Sequence, residues 1–442
     1  MAVVNKKSEV VAIKKESKEI GSHENYIRNI TVFFNSPELS DVTLKIGTKR
    51  FYAHKFVLAV NSEVFRAMFS ESAWMESKQK DVSLEETEEC SDVFGDFLKF
   101  LYSGRVTVNN DNLVALYRLA DKYNVRGLHA SCEQFIRERI EATDFNAAIS
   151  WLSFAEEYQL QEIVLRLYDV LRVNFQKVIS CPMWPSLQLR QICNLLDTWK
   201  IVVEDEYTVY QGVLKWIDAE IRRHGKKQPP DTIYEPLKYI RPAHVTPDQL
   251  ISIEKSSASF SDDYQRNIHT LLFEGYKYQT LRQIDKYSIE FSSPRHHPRI
   301  YTNGTYAITQ NMSNGGSYNF QASVGCKKPT EAGHNWTVVP TIQQVSQQPP
   351  LADNEVFQRY SISPKINEQH YFLYNVTASS SQAGWYYHMA LICYDPTNQN
   401  DLLHVVTSNG KIPSNKKFTM VSPANFSASG TLKTICIIHA WN

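Results

Sequence analysis

The chain has 442 residues, with 47 Lys and Arg against 47 Asp and Glu, so its formal net charge is zero. Neutrality argues against a protein dedicated to phosphate backbones, which needs surplus cations, and the length suffices for two to four domains that each bury a core. Seven scattered cysteines exclude a disulfide-dense module, and the nearest pair, Cys181 and Cys193, leaves no CxxC spacing for zinc or dithiol chemistry.

Residues 1–22 mix lysine and glutamate with few large apolar residues, and a solvated, disordered charged tail is expected there. No apolar stretch of signal-peptide type follows the first residues, and no run of about 18 apolar residues occurs, so neither a leader nor a membrane span is expected. The expected compartment is the cytoplasm or nucleus, with reduced thiols. Asn-x-Ser/Thr sequons at Asn29, Asn303, Asn311, Asn335, Asn375 and Asn425 stand against that expectation. A stretch rich in Asn, Ser and Thr also produces sequons by chance, which is the reading adopted.

From about 24 to 138 the pattern is mixed. Val42, Leu44 and Ile46 alternate with polar residues and predict a half-buried strand; Gly47-Thr48-Lys49-Arg50 then turns the chain into a hairpin partner at Phe51-Tyr52-Ala53. Val57, Val60, Val64 and Met68 recur at helical spacing, as do Val93, Phe97 and Leu101, and Leu113, Leu116, Tyr117 and Ala120, with a short strand at Val82-Ser83-Leu84 between them. From about 140 to 255 strand signals vanish. Trp151, Phe154, Ala155 and Tyr158 mark one helical face, Ile163, Leu167, Val170, Leu171 and Asn174 a second. Tyr210, Leu214, Ile217 and Ile221 mark a third after the acidic start Glu204-Asp205-Glu206, which suits a helix N-terminus. Gly225 to Pro230 reads as a loop. Beyond about 280 Tyr, Ser, Asn, Thr and Gly dominate. Strands are predicted at 356–362, 371–377, 385–394, 402–407, 417–421 and 431–439, a spacing that suggests an antiparallel sandwich.

The blocks Ser40-Asp41-Val42-Thr43-Leu44-Lys45-Ile46, Phe51-Tyr52-Ala53-His54-Lys55-Phe56-Val57-Leu58-Ala59 and Ser62-Glu63-Val64-Phe65-Arg66-Ala67-Met68-Phe69 closely resemble a BTB/POZ domain. Phe97 to Gly104 and Leu119 to Val125 continue the resemblance in order. The helical segment resembles the BACK domain that usually follows, best over VVEDEYTVYQGVLKWI and Leu237-Lys238-Tyr239-Ile240-Arg241-Pro242. Kelch repeats are not expected after it, because no double glycine recurs and about 160 residues are too few for a propeller at about 50 residues per blade. The order BTB, BACK, β-rich end is similar to a BTB/POZ group whose last part is TRAF-like. The expected fold is therefore multidomain: a charged tail (1–22), an α+β BTB/POZ dimerisation domain (23–138), an all-α BACK domain (139–280) and a TRAF-like all-β antiparallel sandwich (281–442).

BTB domains are interaction modules, commonly homodimers. Those that recruit the cullin-3 ubiquitin-ligase scaffold carry a hydrophobic-x-Glu motif, and Trp74-Met75-Glu76 resembles it. An exposed apolar anchor supplies buried area and a nearby carboxylate fixes orientation. The bland alternative leaves Trp74 packed on its own domain. The resemblance also implies a dimer interface with Tyr26, Ile30 and Phe33 on one face of the first helix, and with Asp41 and Lys55 as a charge pair near the two-fold axis or as a pair that only stabilises the fold. No GxSxG, GxGxxG, GxxxxGK[ST] or HExxH occurs, so no catalytic residue, cofactor or metal is expected; the loop pair His296-His297 lacks further ligands at suitable spacing. Cys90 follows the acidic run from Glu85 to Glu89, which disfavours its thiolate. Trp336, Trp385, Tyr386 and Tyr387 suit packing better than sugar stacking, and the basic pairs are too short and separated for nucleic acid.

The expected function is thus a non-enzymatic homodimeric adaptor, the substrate receptor of a cullin-3 ubiquitin ligase. BTB and BACK dock the scaffold, and the C-terminal sandwich holds a protein substrate that the sequence does not identify. A BTB scaffold or co-regulator unrelated to ubiquitin, and a secreted glycoprotein similar to galectin-binding relatives, are the alternatives.

Overall fold

β1 (Val42–Ile46) owes its central place in the first sheet to its apolar run; it follows α1 (His23–Thr31) and pairs with β2 (Lys49–Ala53) from Val42↔Ala53 to Ile46↔Lys49. The hairpin turn is Gly47-Thr48, with Gly47 at φ +55°, a conformation glycine adopts without a Cβ penalty. The computed structural model describes residues 22–70, 79–140, 144–224, 231–257, 262–280 and 299–302, and the backbone of the strands between 307 and 441. The chain divides into two units, Met1–Gln134 and Phe135–Asn442.

In the first unit α2 (Lys55–Asn61), α3 (Glu63–Ser70) and β3 (Asp81–Leu84) follow the hairpin, then α4 (Glu88–Ser103), α5 (Leu113–Lys122) and the start of α6 (Arg126–Arg139), whose last residues belong to the second unit. β3 lies parallel to β1, giving the sheet order β2-β1-β3. β1 is more than half-buried. Thr43 is only 7% exposed, beside Val42 and Leu44 at 0%, because the central strand is covered on both faces.

The apolar spacing from Val57 to Met68 is not one helix. Ser62 breaks it at φ −142°, ψ 125°. The Ser62 hydroxyl accepts from the Phe65 amide at 3.1 Å and donates to the Tyr123 carbonyl at 2.6 Å. It therefore caps α3 and ties it to the end of α5. The buried residues of these two helices are Leu58 and Phe65, and Phe65 stacks on Tyr123 at 4.6 Å. Ser62→Ala should cost about 1–2 kcal/mol, since both partners lose their bond inside the core. Urea unfolding of the variant measures it, and a change under 0.5 kcal/mol would refute the capping role.

The second unit continues with α7 (Phe145–Glu157), α8 (Gln161–Val173), α9 (Phe175–Val178), α10 (Leu189–Leu196), β4 (Val202–Val203), α11 (Glu206–His224), α12 (Pro247–Ser257) and α13 (Asp262–Thr280). Asp144 caps α7, accepting from the amides of Asn146 and Ala147. Trp151, Trp184 and Trp216 are fully buried, and the indoles of Trp184 and Trp216 donate to the carbonyls of Gly212 and Leu187. On α11 the buried large apolar residues are Val209, Tyr210, Val213, Trp216 and Ile217, whereas Leu214 and Ile221 are half-buried. Among the described residues no helix is long and apolar enough to cross a membrane.

β5 (Ile300–Tyr301) adds to β4 in parallel, so strands also occur where the sequence suggested helices alone. β6 (Ala307–Met312), β7 (Tyr318–Ala322), β8 (His334–Gln344), β9 (Phe357–Ser361), β10 (His370–Ala378), β11 (Tyr386–Tyr394), β12 (Leu402–Lys411), β13 (Lys417–Pro423) and β14 (Leu432–Trp441) follow. They form antiparallel sheets of order β13-β10-β8-β7 and β6-β14-β11-β12-β9. β9 to β14 fall on the predicted strands; β6, β7 and β8 were not anticipated. Pro340 in β8 lies past the end of β7, where β8 pairs with β10 alone, a position a proline tolerates.

Candidate functional site

The loop after α1 and the start of α2 are brought together by His54. Its backbone N–H donates to the Tyr102 hydroxyl at 2.9 Å, its Nδ1 lies 2.8 Å from the same hydroxyl, and its Nε2 lies 2.9 Å from the Glu38 carbonyl. Donors and acceptors match when Tyr102 donates to Nδ1 and the Nε2–H donates to Glu38. Burial pushes the Tyr102 phenol up to about 12, with the Asp41 charge adding to it, so the hydroxyl keeps its proton. Phe33 packs edge-on against the His54 ring at 5.7 Å. The loop beyond α1 is further held by Asn35, whose side-chain oxygen accepts from the Tyr52 amide at 3.0 Å.

Of the sequence-predicted interface residues, Tyr26 is 67% exposed, while Ile30 and Phe33 are half-buried. Asp41 and Lys55 do meet. The described contact runs from the Lys55 backbone amide to the Asp41 carboxylate at 2.7 Å, so Asp41 satisfies an unpaired donor at the start of α2. The Lys55 ammonium lies 5.4 Å from the Phe69 ring centroid. Trp74, Met75 and Glu76 lie outside the described residues.

Sequence reasoning missed an exposed apolar pair. Phe56 is 77% exposed and Val60 54%, one turn apart on α2, and Tyr52 of β2 is 42% exposed. The signal was present: an i, i+4 apolar pair lies off the line of the buried Leu58. Large apolar side chains grouped on a surface mark a docking site more often than chance.

Cys90 is buried, with its thiol against the Ala115 carbonyl at 3.8 Å. Burial pushes the Cys132 thiol up to about 12 and the Cys193 thiol up to about 11, which makes both poor nucleophiles. Among the described residues no group of His, Cys, Asp and Glu could hold a metal. His296, His297 and Trp385 lie outside the described residues, Trp336 is on β8, and Tyr386 and Tyr387 are on β11.

The family model of the BTB/POZ domain matches residues 30–140, and that of BACK (BTB And C-terminal Kelch) matches residues 148–254. The chain carries a BTB/POZ domain followed by a BACK domain. The BTB match begins at the end of α1 and takes in α2 to α6, and the BACK match runs from within α7 into α12. Among curated proteins, BTB/POZ domain-containing protein 17 of Xenopus laevis is 27% identical over 54% of this chain and 50% of its own length. Kelch-like protein 8 of Mus musculus is 28% identical over 44% of this chain and 30% of its own length. The chain thus spans about half the length, or less, of these relatives. A solved structure, the BTB domain of zebrafish PATZ1, is 25% identical and covers 28% of this chain and 99% of its own, with a TM-score of 0.24.

Proposed function

We propose that the chain is a homodimeric protein–protein adaptor, the substrate receptor of a cullin-3 ubiquitin ligase, acting by holding partners together and not by catalysis. The observation that carries the reading is the exposed Phe56 and Val60 on a BTB domain that runs directly into a BACK domain. The apolar pair, with Tyr26 and Tyr52, supplies a self-complementary dimer face. Trp74-Met75-Glu76 would dock the scaffold, with BACK widening the contact. The chain would work in the cytoplasm or nucleus, where Cys132 and its fellow thiols stay reduced.

The β-rich end would hold the substrate as a TRAF-like sandwich. Support comes from strand register: Phe372, Tyr374 and Val376 of β10 share a face with Trp336 and Val338 of β8 and Phe418 of β13. The other face is mixed, with Asn375, Thr377, Thr337 and Thr419 beside Tyr371, Leu373, Val339 and Val421. The first face is thus the more apolar of the two, and it is the one a packed second sheet would cover. Dimerisation would double the substrate sites and add avidity.

Pull-down of cullin-3 by the full chain tests the docking. Trp74→Ala with Glu76→Ala should reduce recovery tenfold or more, with circular dichroism unchanged. Undiminished recovery by the folded double variant sinks the docking assignment, and no recovery by wild type returns the chain to a scaffold unrelated to ubiquitin.

A further inference from the structure

Residues 299–302 return to the BACK helices. The Ile300 amide donates to the Ile201 carbonyl at 3.1 Å, and the Thr302 amide to the Val203 carbonyl at 2.9 Å. Two parallel residue pairs are too few to hold a segment. The side chains supply the rest. Arg299 is 2% exposed. Its Nε donates to Glu206 Oε2 at 3.0 Å, its Nη1 to the Leu196 carbonyl at 2.8 Å and to the Thr198 carbonyl, and its Nη2 to the Tyr239 carbonyl at 2.7 Å.

Glu206 is fully buried at the first residue of α11 and also accepts from the Tyr301 hydroxyl at 2.5 Å and the Arg241 amide at 2.9 Å. Burial, with the Glu206 charge beside it, holds the Tyr301 phenol well above its ordinary value, so it remains a donor. Arg241 is itself buried, and its guanidinium is pushed down to about 9 by that burial and then by the Arg299 charge. A carboxylate and three carbonyls directed at one guanidinium fork form a specific receptor, which a lysine could not fill in the same way.

We propose that this is an intramolecular clasp. Glu206 and the carbonyls of Leu196, Thr198 and Tyr239 form a socket for an Arg-aliphatic-Tyr segment, and residues 299–302 of the same chain occupy it. The clasp fixes where the C-terminal strands begin, whatever those strands bind. The residues from Thr302 to Ala307 span at most roughly 17 Å, whereas without the clasp the tether from Thr280 to Ala307 reaches roughly 90 Å. Arg299 is a positioning residue in this account.

Hydrogen exchange and limited thermolysin digestion of the full chain test it. In Arg299→Met the Ile300 and Thr302 amides should exchange at least tenfold faster and cleavage within 281–306 should rise at least tenfold, while α8 keeps its protection. Arg299→Lys should fall between the two, because it keeps the charge without the fork. If Arg299→Met does not fold, Tyr301→Phe decides, with a several-fold loss of protection expected at Ile300 alone. Unchanged exchange at Ile300 and Thr302 overturns the clasp, as does an equal loss in α8, which would make the socket ordinary core. Wild-type protection that falls on dilution overturns the same-chain occupant in favour of a second copy's segment.

Discussion

Trp184→Ala should destabilise the BACK part by about 4–6 kcal/mol. Trp184 is fully buried and meets Phe175 edge-on at 5.5 Å. Removing so large a side chain leaves a cavity that costs about 3–5 kcal/mol. Its indole N–H also donates to the Gly212 carbonyl at 2.9 Å, and losing that bond adds about 1 kcal/mol. α11 is closely packed at this point: a Cβ on Gly212 would lie 2.8 Å from Cγ2 of Ile179. Trp184→Phe keeps most of the ring and loses the donor, so it should cost about 1–2 kcal/mol. Urea unfolding followed by circular dichroism separates the three proteins, and a Trp184→Ala midpoint equal to that of wild type contradicts the packing account.

Trp184 shows one limit of the sequence. It sits in a short 3-10 turn, Trp184–Ser186, where no periodicity marks it as core. Glu206 shows another. An acid at a helix start reads as a solvated dipole partner, and here it is a buried acceptor for Arg299, 93 residues away. Nothing local announces such a pairing, and the residues that make it fall in what the sequence divides into separate domains. The same holds for β4 and β5, two residues each, whose pairing depends on the chain returning after α13.

Periodicity did locate the strands and helices with long apolar runs. Leu113, Leu116, Tyr117 and Ala120 of α5 are all buried, and β9 to β14 lie on the predicted strands. It failed where polar residues fill a strand, as in Ala307–Met312 with its Thr, Gln and Asn. It also failed where a capping serine splits one stripe into two helices with different faces. Val60 falls on that stripe, and the break at Ser62 accompanies its 54% exposure. Docking surfaces are the hardest feature to read in this way. Spacing reports which residues share a face, and burial of the opposite face decides which of them point to solvent.

Phe56→Asp should convert the proposed dimer to a monomer. Phe56 is 77% exposed in the single chain and contributes little to its own fold, so the variant should remain within about 0.5 kcal/mol of wild type in urea. In a two-fold assembly every contact occurs twice. A central aromatic is worth about 2 kcal/mol or more when truncated, so two copies give about 4 kcal/mol, or roughly a thousandfold in the dimer Kd. Aspartate adds two carboxylates at a contact that excludes water, which raises the cost further. Val60→Ala, half as large and one turn away, should weaken the dimer by about tenfold. Sedimentation equilibrium over a range of micromolar concentrations reads both. A wild-type chain that is monomeric throughout, or a Phe56→Asp variant with an unaltered Kd, would show that α2 faces some other partner. Tyr26→Ala then separates the two helices: a loss there with none at Phe56 would place the interface on α1 alone.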